Sequence, residues 1–232
     1  DKPFDWREIE KFDVRIRASL VKINGEFTDS WLRFPANQYI EVDSQYGPLT
    51  ALKLVNNRLM FFQTQAFGTV SVNERALIET QTVSQLSLGV AGLLDRYDYG
   101  KTNIGCFHWR QLTLTPDGLY WVDFLGKASY KYSTGLEEVS LMKGMDSWFR
   151  ENLINGDHDI PEVLHLFNDP EFKEVYIVDN DNDWGLIYNE LTDSYVCFTH
   201  IQPELAMNYL DKVLGWKQSI STYGERHNDI YA

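Results

Sequence analysis

Features that mark the common enzyme classes are scarce in this chain of 232 residues. The sequence contains no GxSxG nucleophile motif, no glycine-rich phosphate loop and no HExxH zinc motif. The two cysteines, Cys106 and Cys197, are far apart and match no CxxC pattern, which favours two buried thiols in strands, with a disulfide as the alternative. No segment approaches the roughly 18 continuous apolar residues of a membrane-spanning helix. We therefore predict no cofactor and no membrane insertion.

Positive charge is also scarce. The chain has 21 Lys and Arg residues against 34 Asp and Glu residues, which gives a net charge of −13. A broad nucleic-acid-binding face needs clustered basic side chains, and so does attraction to an anionic membrane. The charge balance therefore argues against specific nucleic-acid binding and against a membrane surface as partner.

Aromatic residues, by contrast, are plentiful. They make up 14% of the chain, and hydrophobic residues as a whole make up 44%, which is enough for a sizeable core. Such a composition suits strands and interfaces better than a helical bundle. The sequence therefore indicates a folded, mainly β protein.

A pattern of short strands and turns recurs along the chain. Residues 49–74 predict three strands, at 49–55, 59–63 and 69–72, with a turn at Asn56-Asn57 between the first two. Residues 107–133 repeat the pattern with turns at 116–118 and 126–127, so that 59–62 corresponds to 119–122. A third copy follows at 172–200, and a fourth could start at Met207. The copies are about 60 residues apart, which indicates a degenerate supersecondary repeat.

Repeated antiparallel meanders predict a mainly β fold, namely a partial or degenerate β-propeller with a few short helices. A β-sandwich with irregular insertions is the alternative. The aromatic run "TPDGLYWVDFLGKASYKYS" at 115–133 is predicted to form the two outer strands of one blade, with large side chains on both faces. An unclosed array of such blades would leave an exposed flank of aromatic residues such as Trp121, Tyr130 and Tyr132.

The remaining segments complete the predicted organisation. Residues 1–48 are predicted to form extended N-terminal strands with a hairpin at Asn24-Gly25, and residues 49–232 a region of three to four blade modules. Short helices are predicted at 142–153 and 160–167, the second with Asp159 as N-cap and Pro161 in its first turn.

The most conspicuous polar cluster is "DNDNDWGLIYNE". Asp179, Asp181 and Asp183 alternate, and Glu190 is the twelfth residue, as in a calcium-binding loop. The sixth position, which needs glycine in such a loop, is Trp184, and the flanking segments read as strands. Asn and Asp also dominate ordinary hairpin turns. We therefore expect a solvated turn without a tightly bound ion, and the four acids are weak candidates for a metal site.

A resemblance adds to this interpretation. The segments at 46–78, 88–100, 115–124 and 186–205 resemble the tail stabilisation proteins, also called muzzle or nozzle proteins, of crAss-like and related podovirus-type phages; they read "YGPLTALKLVNNRLMFFQTQAFGTVSVNERALI", "LGVAGLLDRYDYG", "TPDGLYWVDF" and "LIYNELTDSYVCFTHIQPEL". The resemblance covers roughly residues 40–232. It implies a β-propeller-based protein that forms the distal tail tube in several copies and has no enzymatic activity.

The resemblance implies a structural virion protein of a phage tail. Such a protein would form or stabilise the distal tail tube, help to retain and release packaged DNA, and assemble in the host cytoplasm. Its expected partners are other copies in a ring, other tail and portal-adjacent virion proteins, and DNA that passes through a channel. Family chains are much longer, so we expect this chain to be part of a longer subunit, in agreement with its start at Asp1.

Two further functions stay open. The first is a glycan-acting propeller or sandwich hydrolase with acids such as Asp117, Asp123 or Asp183 at a pocket, although the nucleophile motifs are absent. The second is a calcium-dependent carbohydrate-binding module that uses the alternating acids with exposed Trp and Tyr side chains. A thiol nucleophile formed by Cys106 and His108, which would share a face of a strand, has little specificity as a pattern.

Overall fold

The computed structural model describes residues 11–20, 22, 25, 27–73, 76–79, 85–88, 93–142, 144–153, 164–209, 212–220 and 226–231. The chain divides into two compact units, Asp1–Thr102 and Asn103–Ala232. In both units the described elements are mainly antiparallel strands, as the sequence predicts. The domain boundary predicted after residue 48 stays a prediction.

The first unit contains eight of the described strands. They are β1 (Arg15–Arg17), β2 (Tyr39–Glu41), β3 (Leu49–Val55), β4 (Arg58–Gln63), β5 (Phe67–Asn73), β6 (Ala76–Glu79), β7 (Gln85–Leu88) and β8 (Leu93–Lys101). A four-stranded sheet has the order β3-β4-β5-β8, and β1-β2 and β6-β7 form separate pairs. The three strands predicted within 49–74 are confirmed. Asn56 and Asn57 join β3 to β4 with positive φ angles of 47° and 63°, which Asn tolerates better than most residues.

The N-terminal strands pack on this sheet. Ile16 and Val42 form a buried cluster with Phe61 and Val70. The β1 strand pairs with β2. The connection between them is long, since β1 ends at Arg17 and β2 begins at Tyr39. Of the hairpin predicted at Asn24-Gly25, Asn24 lies outside the described residues.

The second unit contains three consecutive meanders. Sheet A consists of β9 (Leu112–Thr115), β10 (Gly118–Asp123), β11 (Ala128–Tyr132) and β12 (Leu136–Glu138). Sheet B consists of β13 (Leu164–Asp169), β14 (Glu174–Asp179), β15 (Trp184–Asn189) and β16 (Ser194–Thr199). Sheet C consists of β17 (Leu205–Tyr209), β18 (Lys212–Ile220) and β19 (Arg226–Tyr231). In every sheet, strands that follow one another in sequence are hydrogen-bonded neighbours. The third and fourth predicted copies are therefore confirmed as meanders.

Sheet B is buried on both faces. Alternate residues of β14, Val175 and Ile177, join a core that includes sheet A and helix α1 (Met145–Asn152). The residues between and after them, Tyr176 and Val178, join a second cluster against Ala206 of sheet C. In a two-sheet sandwich each sheet packs on one face and leaves the other to solvent. The arrangement is blade-like, and the sandwich alternative does not describe this unit.

Sequence reasoning misplaced the aromatic run at 115–133. Its two full strands, β10 and β11, are the inner strands of sheet A, whose order is β12-β11-β10-β9, so the prediction of two outer strands is wrong. The large side chains on both faces of β10 are buried along its whole length, as expected for a blade. Trp121 and Tyr130 are accordingly buried rather than exposed at a flank, and Tyr132 is half-buried.

One predicted helix is confirmed and the other is wrong. Helix α1 lies within the predicted 142–153 and buries Phe149. The second prediction covered 160–167, of which 160–163 lie outside the described residues and 164–167 belong to β13. Leu166 packs toward sheet A and Phe167 toward sheet C, because a strand between two sheets needs apolar residues at consecutive positions. Such a run has no clear period, so it also fits a short buried helix.

Candidate functional site

Four turns of the second unit share one construction. Each begins at an Asp or Asn whose side-chain Oδ1 accepts hydrogen bonds from the backbone N–H groups two and three residues further on, at 2.9–3.3 Å. Four residues after this acceptor, each turn has a residue with φ between 49° and 55°. The acceptors are Asp123, Asp169, Asp179 and Asn189, and the left-handed residues are Lys127, Lys173, Asp183 and Asp193. The spacing [DN]-x-x-x-[KD] is a signal in the sequence that the repeat analysis missed.

This construction explains the acids of the candidate calcium loop. The Oδ1 of Asp179 accepts from the N–H groups of Asp181 and Asn182, and its Oδ2 accepts from Asn182 Nδ2 at 2.9 Å. Asp183 occupies the left-handed position, where Asp is more tolerated than most residues. Gln202, with its amide oriented to satisfy both groups, donates to Asp183 Oδ1 at 2.9 Å and accepts from the Trp184 N–H. The predicted hairpin turn is present, and its carboxylates serve the turn.

Glu190 lies away from the other three acids. It begins the turn after β15, whereas Asp179–Asp183 lie at the start of β15, so roughly 20 Å of strand separates them. The Oε1 of Glu190 accepts a hydrogen bond from Thr115 Oγ1 of sheet A at 2.5 Å. Within the described ranges, no group of three or more His, Cys, Asp or Glu side chains could hold a metal ion.

Polar contacts join sheet A to sheet B near the same turns. Besides Thr115–Glu190, they comprise Lys173 Nζ–Asp117 Oδ2 at 3.8 Å, Lys131 Nζ–Asp193 Oδ1 at 3.6 Å and Ser129 Oγ–Tyr195 Oη at 2.5 Å. The two ion pairs are partly exposed and each stabilises the interface by about 1 kcal/mol or less. These contacts fix the register of the two sheets while the apolar core between them supplies most of the stability.

The first strands of the three sheets also share a polar link. Asn168 on β13 accepts with its Oδ1 from Thr113 Oγ1 on β9 at 3.2 Å and from Asn208 Nδ2 on β17 at 2.9 Å. One side chain therefore ties sheets A, B and C together through their first strands. This is the arrangement expected where consecutive blades meet.

Neither cysteine has the environment of a catalytic thiol. Cys106 is buried outside the strands, its Sγ contacts the backbone carbonyl of His108 at 3.1 Å, and burial raises the pKa of the thiol. The imidazole Nδ1 of His108 instead accepts from the Arg110 N–H. Both cysteines are free, so there is no disulfide between them. The prediction of two buried thiols in strands is half right for each: Cys106 is buried but lies outside the strands, and Cys197 lies on β16 but is exposed.

The acids considered for glycan hydrolysis are also dispersed. Asp117 and Asp123 lie at opposite ends of β10, roughly 20 Å apart along the strand. Asp123 is buried, its Oδ1 accepts from the N–H groups of Leu125 and Gly126, and its Oδ2 accepts from the Gly105 N–H. Burial raises the pKa of this carboxyl above its ordinary value. Asp183 lies in an exposed turn of sheet B.

The family model described as "Crassvirus muzzle protein" matches residues 3–219. The chain belongs to the crassvirus muzzle protein family. The resemblance noted in the sequence is thereby confirmed.

One relative of this chain is itself named a muzzle protein. The "Muzzle protein" of Bacteroides phage crAss001 is 22% identical over 201 residues. The match covers 86% of this chain but 14% of that protein, so the chain spans about one seventh of the relative's length. Among the described residues no helix is long and apolar enough to cross a membrane.

Proposed function

We propose that this chain is a structural part of a phage virion, in the distal tail tube, where it helps to retain and release packaged DNA. The observation that supports it most is the match of the muzzle family model to residues 3–219. The protein acts through shape and assembly, not catalysis. Support for this comes from Asp123, Asp179 and Glu190, whose carboxylates serve turns and a sheet interface, and from the buried Cys106 thiol, which contacts a backbone carbonyl.

The blade-like sheets suggest how the chain contributes to the tail. Sheet B has apolar cores on both faces, so it needs a neighbouring sheet on each side. A closed propeller repeats this arrangement for four to eight blades. In our proposal, further blades from a longer polypeptide, or from a neighbouring copy in a ring, complete the array that sheets A, B and C begin.

The acidic balance suits a channel for DNA. A wall with net negative charge repels phosphate groups and prevents DNA from adhering during ejection. The net charge of −13 supports this part of the proposal. Other tail and portal-adjacent virion proteins would contact the outer surface of the ring.

The location is tested by immunogold electron microscopy of purified virions. Antibodies against this chain should label the end of the tail, while antibodies against the capsid label only the head. Absence of the chain from purified virions, established by mass spectrometry of the same preparation, contradicts the proposal.

The need for additional blades is tested separately by expression of the 232 residues alone. Light scattering should show association, and calorimetry a broad or irreversible thermal transition, because heated chains aggregate. Unfolding in urea, which keeps unfolded chains in solution, should stay reversible. A soluble monomer with one sharp, reversible transition would show that the chain closes its own core.

A further inference from the structure

A cavity of about 510 Å³ lies between sheets B and C. Its lining includes Phe167, Asp169 and Tyr176 from sheet B, His200 from the connection to sheet C, and Gly215 and Lys217 from sheet C. The volume falls in the range of roughly 300–1,000 Å³ that is typical of ligand pockets.

The cavity has a local origin in β18. Val213, Gly215 and Lys217 are alternate residues, so they lie on the same face of the strand. Val213 packs against the cluster on sheet B, whereas Gly215 supplies no side chain to fill the gap. A Cβ at Gly215 would lie 3.2 Å from Cβ of Pro203, a close contact. The glycine therefore lets the connection at Pro203 approach β18 closely and leaves the space beside it unfilled.

The two ends of the cavity have different polar groups. Asp169 is the last residue of β13 and is the register partner of Glu174, the first residue of β14. His200 follows the last residue of β16, at the opposite end of sheet B. About five residues of strand, or roughly 17 Å, separate these levels. Lys217 lies near the His200 end. The connection that contains His200 leads to Leu205, the first residue of β17, and Leu205 pairs with Trp216, the neighbour of Lys217. Within the described part of the chain, neither His200 nor Lys217 has a hydrogen-bond or ion-pair partner.

The middle of the cavity is apolar. Phe167 and Tyr176 stack with ring centroids 4.8 Å apart and planes 10° from parallel, and both line the space. The hydroxyl of Tyr176 donates to Glu174 Oε2 at 3.1 Å, toward the Asp169 end.

We propose that this cavity binds a short neutral oligosaccharide. Sugar hydroxyls can donate to Oδ2 of Asp169, whose Oδ1 already accepts from the turn, and can accept from Lys217 and His200. The apolar faces of sugar rings can pack on the aromatic side chains. An anionic ligand would meet the carboxylate of Asp169 at one end, and a cationic ligand would meet Lys217 at the other. The proposal goes beyond the tail role and does not depend on it.

Saturation-transfer NMR with three probes, maltotriose, cellotriose and triacetylchitotriose, tests this site on the full 232-residue chain. At least one probe should give transfer signals, and the Lys217→Ala variant should bind it about tenfold more weakly through loss of a charge-assisted hydrogen bond. Lys212→Ala is the matched control, because Lys212 is an exposed lysine on the same strand outside the cavity lining, and it should bind as the parent does. Gly215→Leu fills the space and should abolish binding.

The outcomes separate clearly. Circular dichroism first establishes whether each variant is folded. If Gly215→Leu does not fold, the proposal is decided by Lys217→Ala, which changes an exposed side chain. Absence of transfer from all three sugars at millimolar concentration overturns the proposal. Binding that Lys217→Ala leaves unchanged also overturns it, as does binding of octanoate but none of the sugars, which would show an apolar cavity without sugar recognition.

Discussion

Burial of sheet B on both faces predicts that two valines on one strand are equally important. Val175 and Val178 both lie on β14 and are 1% and 0% exposed, but Val175 packs toward sheet A and Val178 toward sheet C. Val196 on the edge strand β16 is 56% exposed and provides a matched control. The perturbation is Val→Ala at each of the three positions.

The expected magnitude follows from the atoms removed. Val→Ala deletes the equivalent of two methylene groups, each worth about 0.8 kcal/mol of transfer free energy, and the residual cavity adds to the cost. Val175→Ala and Val178→Ala should each lower the free energy of unfolding by about 2 kcal/mol. Val196→Ala should cost less than about 1 kcal/mol, because it loses strand propensity but little burial.

Urea unfolding followed by circular dichroism measures these differences. The slope of the free energy against urea should be the same in all three variants, so that the midpoint reports stability. If Val178→Ala were as mild as Val196→Ala while Val175→Ala remained costly, sheet B would have one solvated face. The blade interpretation of this unit would then be refuted.

Three other predictions follow from individual groups. Burial raises the pKa of Asp123 above its ordinary 3.8, so the folded state favours the protonated carboxyl. The contribution of this group to stability is fully present below about pH 4 and is lost as the pH rises through its raised pKa. The always-neutral Asp123→Asn should therefore gain stability relative to the parent as the pH rises above about 4 in urea titrations, and a difference that stays constant with pH would contradict this sign. Calorimetric titration with calcium should detect no sub-millimolar binding, whereas such binding, if lost in Asp181→Ala, would revive the binding-module hypothesis. Duplex DNA at low salt should bind weakly, and micromolar affinity with a steep salt dependence would contradict the channel proposal.

Local signals were sufficient to predict most of the meanders. The Asn56-Asn57 turn and the turn before Gly118 each precede a leucine and an apolar run, and both begin strands of the expected length. Such turns fix the register of the strands that they join. The Met145–Asn152 helix was predicted for a similar reason, since its apolar residues recur on one face.

Properties that depend on neighbours distant in sequence could not be predicted in the same way. The inner position of β11 depends on β12, a strand of three residues without a distinct pattern. Glu190 matches the calcium-loop spacing, but consecutive hairpin turns lie at opposite ends of a strand, so sequence proximity is misleading there. The partner of Glu190, Thr115, comes from a different sheet 75 residues away in sequence. The cavity at Gly215 likewise depends on how sheet C approaches sheet B.

Cryo-electron microscopy of the tail of virions from the phage that encodes this chain tests the central claim most directly. The account predicts density at the distal tail into which sheets A, B and C fit as adjacent blades, with sheet B covered on both faces and additional blades completing the array. A tail map without these three meanders, or one in which a face of sheet B is open to solvent, would contradict it.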